Sequence, residues 1–283
     1  MSMTGRLYVV ATPIGNLADA STRMRETLAS VDCVLAEDTR HSGRLLHQIG
    51  VKKPLIALHE HNESDLVEGL VQRLAAGENM ALISDAGTPA VSDPGFKLIR
   101  DARRAAIDVS PVPGPSAVIA AISVAGLPTD KFVFEGFLPA RHQARQTALA
   151  VLSDEPRTMV FYESVHRIEE TLRDCCTVFG NERQAAIARE LTKLHEQIVS
   201  ASLSALLQSV ATGTIPLKGE FVLVIAGQEK AIEAVQSEGE RLVEALLAEG
   251  VRVKEASRVA ARLTGGKRNA LYQFALTAQK AAE

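Results

Sequence analysis

The chain holds 283 residues, with 31 Lys plus Arg against 34 Asp plus Glu and a formal charge of −3. Hydrophobic residues make up 46% and charged residues 23%, the balance of a packed globular protein, which excludes a disordered, collagen-like or disulfide-scaffold chain. At roughly 100–200 residues per domain, the length predicts two domains with room for a small appendage.

The opening Met1–Arg6 lacks the apolar stretch of a secretory signal, and Leu7–Ala11 is too short to supply one. From there short apolar runs alternate with helical stretches. Leu7–Ala11 precedes Thr22–Ala29, Cys33–Ala36 precedes Gly43–Ile49, and Leu55–Leu58 precedes Asp65–Ala76. Met80–Ser84 then leads to Gly95–Ala106, and Val109–Val112 to Ser116–Ala125. This alternation predicts a parallel or mostly parallel sheet covered on both faces, with ligands at the carboxyl ends of its strands. The longest apolar run, Ala117–Leu127, falls short of the roughly 20 residues that span a bilayer. Gly126-Leu127-Pro128 and Gly136-Phe137-Leu138-Pro139 bracket a short strand, Phe132–Phe134, and a polar, basic stretch follows at Ala140–Gln146.

The alternation then resumes with strand Thr158–Tyr162, helix Val165–Val178, strand Gln184–Ala188, helix Ser204–Ala211 and strand Glu220–Ala226. Three cysteines, two of them the neighbours Cys175 and Cys176, read as thiols of a reduced, cytoplasmic protein. Beyond Gly227 the chain reads as helices only. Ala256, Val259, Ala260 and Leu263 form an i, i+3, i+4, i+7 stripe, Gly265-Gly266 ends it, and a further helix begins at Asn269. Two short helices around a glycine turn make a helix-turn-helix-like unit. Residues 250–280 carry seven Lys or Arg and one acid, whereas 229–249 carry six acids and two bases. That basic end keeps a polyanionic partner open despite the acidic whole. The expected division is therefore 1–128 and 129–228 as two α/β domains, with 229–283 as a helical appendage.

Three strand-end loops are candidates for chemistry. Ala11-Thr12-Pro13-Ile14-Gly15-Asn16 follows the first strand, Asp85–Gly95 the fourth, and Pro113-Gly114-Pro115-Ser116-Ala117 the fifth. Proline and glycine let backbone approach a ligand closely, and the acids of the second loop suit a cationic group. Capping of the next helix by Ser92 or Asp93 explains part of that loop and leaves Asp85–Thr88 over. No G-x-G-x-x-G follows the first strand, so a nicotinamide or flavin site is unsupported. Gly265-Gly266-Lys267-Arg268 lacks the Ser/Thr and the preceding strand of a P-loop. His59-Glu60-His61 reads as a polar loop without a metal.

Seven motifs occur together and in order: Thr12-Pro13-Ile14-Gly15-Asn16-Leu17, Ala36-Glu37-Asp38-Thr39-Arg40, Ser84-Asp85-Ala86-Gly87-Thr88-Pro89, Pro113-Gly114-Pro115-Ser116, Phe134-Glu135-Gly136-Phe137-Leu138-Pro139, Phe161-Tyr162-Glu163-Ser164 and Arg189-Glu190-Leu191-Thr192-Lys193. In these the chain resembles the bacterial small-subunit ribosomal RNA 2′-O-ribose cytidine methyltransferases, within the tetrapyrrole methylase fold, over about residues 5 to 277. Ala11 departs from the pattern, which has proline there.

The resemblance implies a two-domain α/β fold with a helical C-terminal unit, a homodimer, and S-adenosylmethionine bound folded between the domains. It also implies methyl transfer to a ribose in small-subunit ribosomal RNA, as naked RNA or within the assembled subunit. The motifs place Pro13, Ala86, Gly87, Thr88, Val91, Ser116, Ala117, Glu163 and Leu191 at the cofactor. Asp85 is added because a carboxylate pairs with the ammonium or the sulfonium. A ribose hydroxyl is a weak nucleophile, so a base or a neighbouring cation should help it. Glu190 with Lys193 are the first candidates, and Asp38, Arg40 and His41 the second; either cluster reads equally well as an inter-domain ion pair. RNA contact falls on Arg141, Arg145, Arg262, Lys267 and Arg268. Two rivals remain: a porphyrin or corrin methyltransferase, which needs no basic helical extension, and a ligand-sensing nucleic-acid-binding regulator, which needs no such loops.

Overall fold

The computed structural model describes residues 4–282; the first three residues of Met1–Arg6 and the Lys280 side chain lie outside it. Strands β1 (Arg6–Val10), β2 (Cys33–Ala36), β3 (Leu55–Ala57), β4 (Met80–Ile83) and β5 (Asp108–Val112) form an all-parallel sheet in the order β3-β2-β4-β1-β5. β2 and β4 are apolar and buried at every position, as central strands of a doubly covered sheet must be. Successive side chains of β4 point to opposite faces. Met80 and Leu82 share a core with Leu70, Leu74, Leu98 and Ala102 of α3 (Glu63–Ala75) and α4 (Phe96–Arg104). Ala81 and Ile83 share one with Met24, Leu28 and Leu46 of α1 (Thr22–Ser30) and α2 (Thr39–Gln48). The helices after the adjacent strands β1 and β4 thus lie on opposite faces, and the loops that lead to them part at the carboxyl edge and leave a crevice.

A second sheet is mixed. β6 (Phe132–Phe137) and β7 (Thr158–Ser164) run parallel, while β10 (Glu220–Ile225), β8 (Gln184–Arg189) and β9 (Gln197–Ser202) continue it antiparallel, in the order β6-β7-β10-β8-β9. One face carries α6 (His142–Val151), α7 (Ile168–Phe179) and α8 (Leu203–Ala211), packed through Leu149, Leu172, Cys175 and Leu206. The other face receives α5 (Ala117–Val124), which arrives from the first sheet. Val118, Ala121 and Ile122 lie there among Val160, Ala186, Ala188, Val222 and Val224.

The polar stretch expected at Ala140–Gln146 is the start of α6, and β9 was not anticipated. α6 buries Arg145 where an apolar residue would have marked a helix, and β9 is a sheet edge with only half-buried residues facing the core. Neither Ser92 nor Asp93 caps α4, whose N-cap is Gly95. Instead buried Glu63 of α3 accepts hydrogen bonds from the Lys97 and Leu98 amides at 2.9 and 3.2 Å.

The chain end forms α9 (Glu229–Ala248), α10 (Val253–Thr264) and α11 (Arg268–Ala282), with a core of their own at Val243, Ala260, Leu271 and Ala275. Gly265, in the left-handed conformation at φ 77°, ends α10. The buried stripe differs from the expected one. Ala256, Ser257 and Ala260 are enclosed, and Leu263 is 70% exposed, because the face turned inward runs from Ser257 to Thr264. Among the described residues no helix is long and apolar enough to cross a membrane.

Candidate active site

The three strand-end loops are tied to one another by backbone. Thr12 N donates to Gly87 O at 2.8 Å and Gly87 N to Thr12 O at 3.1 Å, an isolated bridge between the loops after β1 and β4. Gly87 stands at φ 81°, a conformation that side-chain-bearing residues rarely adopt. The Thr88 hydroxyl donates to Pro115 O at 3.1 Å and joins the loop after β5. Ala11, the departure from the motif, donates its N–H to Val112 O at 3.1 Å, a bond proline could not make.

Between these loops and the edge of the second sheet lies a cavity of about 490 Å³, a volume within the usual range for small-molecule sites. Asp85, Ala86, Gly87, Thr88, Val91, Ser116, Ala117 and Glu163 line it. Pro13 lies beside the cavity wall, which its neighbour Ile14 forms. Leu191 is not on the wall: it is 9% exposed and packed in the core that α5 forms with the second sheet. Glu163 borders the cavity, but its carboxylate points away. It is bound by the Ser164 amide (2.7 Å), Arg167 (2.6 Å) and the Thr171 hydroxyl (2.7 Å). Ile14, Ser92, Asp93, Phe137, Tyr162, Gly219, Glu220 and Val222 complete much of the wall and were missed. Phe137 and Tyr162 stood inside recognised motifs, whereas Gly219–Val222 carried no signal apart from a glycine before a strand.

Charge in the crevice is negative. Burial pushes the Asp93 carboxyl above its ordinary value; a hydrogen bond from Ser84 opposes this and the Asp85 charge adds to it. Burial likewise raises Glu37, helped by Asp93, Asp85 and Asp38. Tyr162 is raised by burial and by the Asp93 charge, against a hydrogen bond from the Val118 amide. The apolar residues Ile14, Val91 and Val222 together with the Asp85 carboxylate make the donor set that a ligand with an aromatic base and a positive centre calls for.

Glu190 and Lys193 do not line the cavity. Lys193 Nζ reaches Glu190 Oε1 at 2.9 Å and Glu220 Oε2 at 3.0 Å, while Glu190 Oε1 also accepts from the Glu220 amide at 3.0 Å. A hydrogen bond from Lys193 holds Glu190 below the usual carboxylate range. Burial alone would lower Lys193, but its bonds to Glu190 and Glu220 outweigh it and leave the ammonium raised. A carboxylate so stabilised is a poor proton acceptor, and the pair is a clip between β8 and β10. Asp38 is the N-cap of α2, accepting from the Arg40 and His41 amides at 2.8 and 3.4 Å. Hydrogen bonds from the Arg40 side chain and backbone bring its carboxyl down to about 2. Asp38, Arg40 and His41 thus stand together at the start of α2, with the Asp38 carboxylate engaged in capping it.

Arg145 is corrected as an RNA contact. It is 1% exposed, with Nε on Asp174 at 2.6 Å and its other donors on Ala140 O (3.3 Å) and Glu170 (3.4 Å). Arg141, Arg262, Lys267 and Arg268 are exposed. The His59 and His61 rings lie edge to face at 6.1 Å, and among the described residues no three His, Cys, Asp or Glu gather as metal ligands.

Family models match two parts of the chain: the tetrapyrrole (corrin/porphyrin) methylases over residues 6–207, and the RsmI C-terminal HTH domain over residues 233–280. A ribosomal RNA small subunit methyltransferase I of Xylella fastidiosa is 51% identical over 96% of this chain and 99% of its own. The protein of that name from Pseudomonas aeruginosa is 50% identical over 97% and 98%, and that from Escherichia coli O157:H7 47% identical over 97% and 96%. Among solved structures, a uroporphyrin-III C-methyltransferase of Thermus thermophilus complexed with S-adenyl homocysteine superimposes with a TM-score of 0.54 at 17% identity, over 78% of this chain and 97% of that one. Diphthine synthase does so with 0.57 at 13%, over 78% and 89%, which at such identity speaks for the fold alone. The chain belongs to the tetrapyrrole methylase family, among the ribosomal RNA small subunit methyltransferases I.

Proposed function

We propose that this protein transfers a methyl group from S-adenosylmethionine to small-subunit ribosomal RNA, at the ribose 2′-oxygen of a decoding-centre cytidine. The observation that carries the reading is the identity with the rRNA methyltransferases, which runs through both the cavity loops and the terminal helices. A porphyrin or corrin methyltransferase has no use for the terminal unit, and a regulator is disfavoured by the 51% identity to a methyltransferase over 96% of the chain.

When bound, S-adenosylmethionine supplies a methyl group activated by a positively charged sulfonium. Asp85 faces the cationic end; one of its oxygens accepts from the Asp38 amide at 3.2 Å, and the other is left for an ammonium. The Gly87 backbone lets a ligand lie close, and Ile14, Val91 and Val222 offer an apolar bed for an aromatic base. The Glu190–Lys193 clip holds Gly219 and Glu220, which line the cavity, in place. Residues 1–128 and 129–228 supply the two sides of the site, and 229–283 bring RNA through Arg262, Lys267 and Arg268, with Arg141 as a further contact. The working form is a cytoplasmic homodimer.

The test is incubation with labelled S-adenosylmethionine and either small ribosomal subunits, naked ribosomal RNA or a tetrapyrrole. Label is expected in the RNA, with ribose methylation mapped on the product. Label in a tetrapyrrole or nowhere refutes the reading. Gly87→Leu, which places a branched side chain at φ 81°, is expected to abolish binding of S-adenosylhomocysteine in a folded protein. Calorimetry with unchanged affinity would take this loop out of the site.

A further inference from the structure

The cavity wall extends beyond the loops that suit a methyl donor. Phe137 is 58% exposed and Val91 39% exposed, although both line the cavity, so its rim is apolar and open. The Phe137 ring leans on Tyr162 at 5.5 Å, and Phe134 meets Tyr162 edge-on at 4.9 Å, so Phe137 is braced on one side and open on the other. Asp93 lines the same cavity, two residues after Val91. The turn that carries it is strained: Ala90 and Ser92 both stand at φ 64° without being glycine. It is held from outside, since β6 bulges at Phe134/Gly136 and a Cβ on Gly136 would lie 3.2 Å from the Ser92 hydroxyl. Strain that the surroundings maintain is a mark of a position set for function.

We propose that this part of the cavity is a nucleoside subsite, in which Phe137 carries a splayed base and Asp93 accepts the proton of the ribose hydroxyl; the inference rests on the reading of the protein as an RNA methyltransferase. Single-stranded RNA is read by bases splayed onto aromatic rings, and such a base brings its ribose hydroxyls along. In the transfer the O2′–H bond breaks and an O2′–CH3 bond forms. Asp93 takes the proton, and the electron pair of the severed carbon–sulfur bond stays on sulfur as a neutral thioether.

Of the other carboxylates on the cavity wall or beside it, Asp85 is assigned to the cofactor and Glu163, Glu190 and Glu220 are held by partners, while Glu37 is not on the wall. Glu163 is bound by Arg167 and Thr171, Glu190 and Glu220 share Lys193, and Asp85 holds the Asp38 amide. Asp93 pairs with no basic side chain among the described residues. The groups that face it are Asp85 on its own loop, Glu37 at the end of β2 and Tyr162 on β7, and none of them is a cation. Burial and this company make its carboxylate a better proton acceptor than the Glu190 carboxylate.

The experiment compares full-length wild type with Asp93→Asn, Phe137→Ala and Phe137→Tyr. Calorimetry with S-adenosylhomocysteine, which also reports the fold, is expected to give wild-type affinity in all three. Single-turnover transfer to small subunits should fall about 100-fold or more in Asp93→Asn, and its rate should lose the rise with pH that wild type shows as the carboxyl ionises. Phe137→Ala should raise KM for subunits about tenfold, with Phe137→Tyr close to wild type. A wild-type rate in Asp93→Asn, or a parallel loss of S-adenosylhomocysteine binding, overturns the assignment of the base and in the second case hands Asp93 to the cofactor. Unchanged KM in Phe137→Ala overturns the role given to Phe137. Wild type that leaves subunits unlabelled overturns the RNA reading itself, and the subsite with it.

Discussion

Two carboxylates at the crevice, Asp93 and Glu37, ionise above their ordinary values of 3.8 and 4.5. Between those values and the raised ones the folded chain binds more protons than the unfolded chain, so stability falls as pH rises through that window. Asp38, Asp101, Glu155 and Glu190 are shifted the other way, and their contribution is lost only as pH falls below 3.8 to 4.5. The melting temperature is therefore expected to climb from neutral pH towards pH 4.5, with a shallower climb in Asp93→Asn; equal slopes by calorimetry at matched ionic strength would contradict it. Glu190 permits a second prediction. In a clip where the Glu190 side chain is only 17% exposed, Glu190→Gln removes the charge but keeps an oxygen for the Lys193 ammonium and the Glu220 amide, and should cost about 1–2 kcal/mol of stability, with a fall in turnover below about 100-fold. A larger fall in single-turnover rate would restore a role in proton transfer.

At the scale of elements, α4 shows how a remote residue places a loop. Glu63 of α3 holds the α4 amides directly after Asp93-Pro94-Gly95, so the cavity loop is anchored from a neighbouring helix. Glu63→Ala leaves those donors without a partner in a buried place and is expected to cost about 2 kcal/mol, with Glu63→Gln recovering part of it. Urea denaturation measures both, and a neutral Glu63→Ala would remove the anchor. This cap was not legible in the sequence, because the nearer Ser92 and Asp93 offered the same chemistry. β2 and β4 were legible because all their residues are apolar. α6 was not, because its buried face rests on Arg145, whose fitness for the core depends on Asp174, 29 residues away. The candidate site follows the same division. Loops marked by proline and glycine stood out, as with Ala86–Thr88, whereas the wall at Gly219–Val222 comes from a strand whose pairing with β7 only the fold creates.

For the whole molecule, the α9, α10 and α11 helices have a core cluster of their own, from which we expect the terminal unit to be removable. Residues 229–283 hold nine bases and eight acids, so they carry +1 and the first 228 residues −4, which together make the total of −3. Deletion of 229–283 is expected to leave S-adenosylhomocysteine binding intact and to collapse subunit methylation, since an acidic body repels phosphate. Charge reversal at Arg262, Lys267 and Arg268 should do nearly the same. It should also lower the slope of log affinity against log salt by about one for each phosphate no longer neutralised. An unchanged slope would leave those side chains as mere solvation of the helices. A last consequence concerns α5, which lays one face on the second sheet and leaves Ile119 and Val124 of the other face 54% and 49% exposed. On the covered face Ala121, fully enclosed, sits between Val118 and Ile122 in a core that includes Ala186 and Ala188. The clearance between helix and sheet therefore depends on a methyl group, and Ala117, at the start of the same helix, lines the cavity. A bulkier residue at Ala121 would act as a wedge, tilting one wall of the cavity from a position that is not part of that wall.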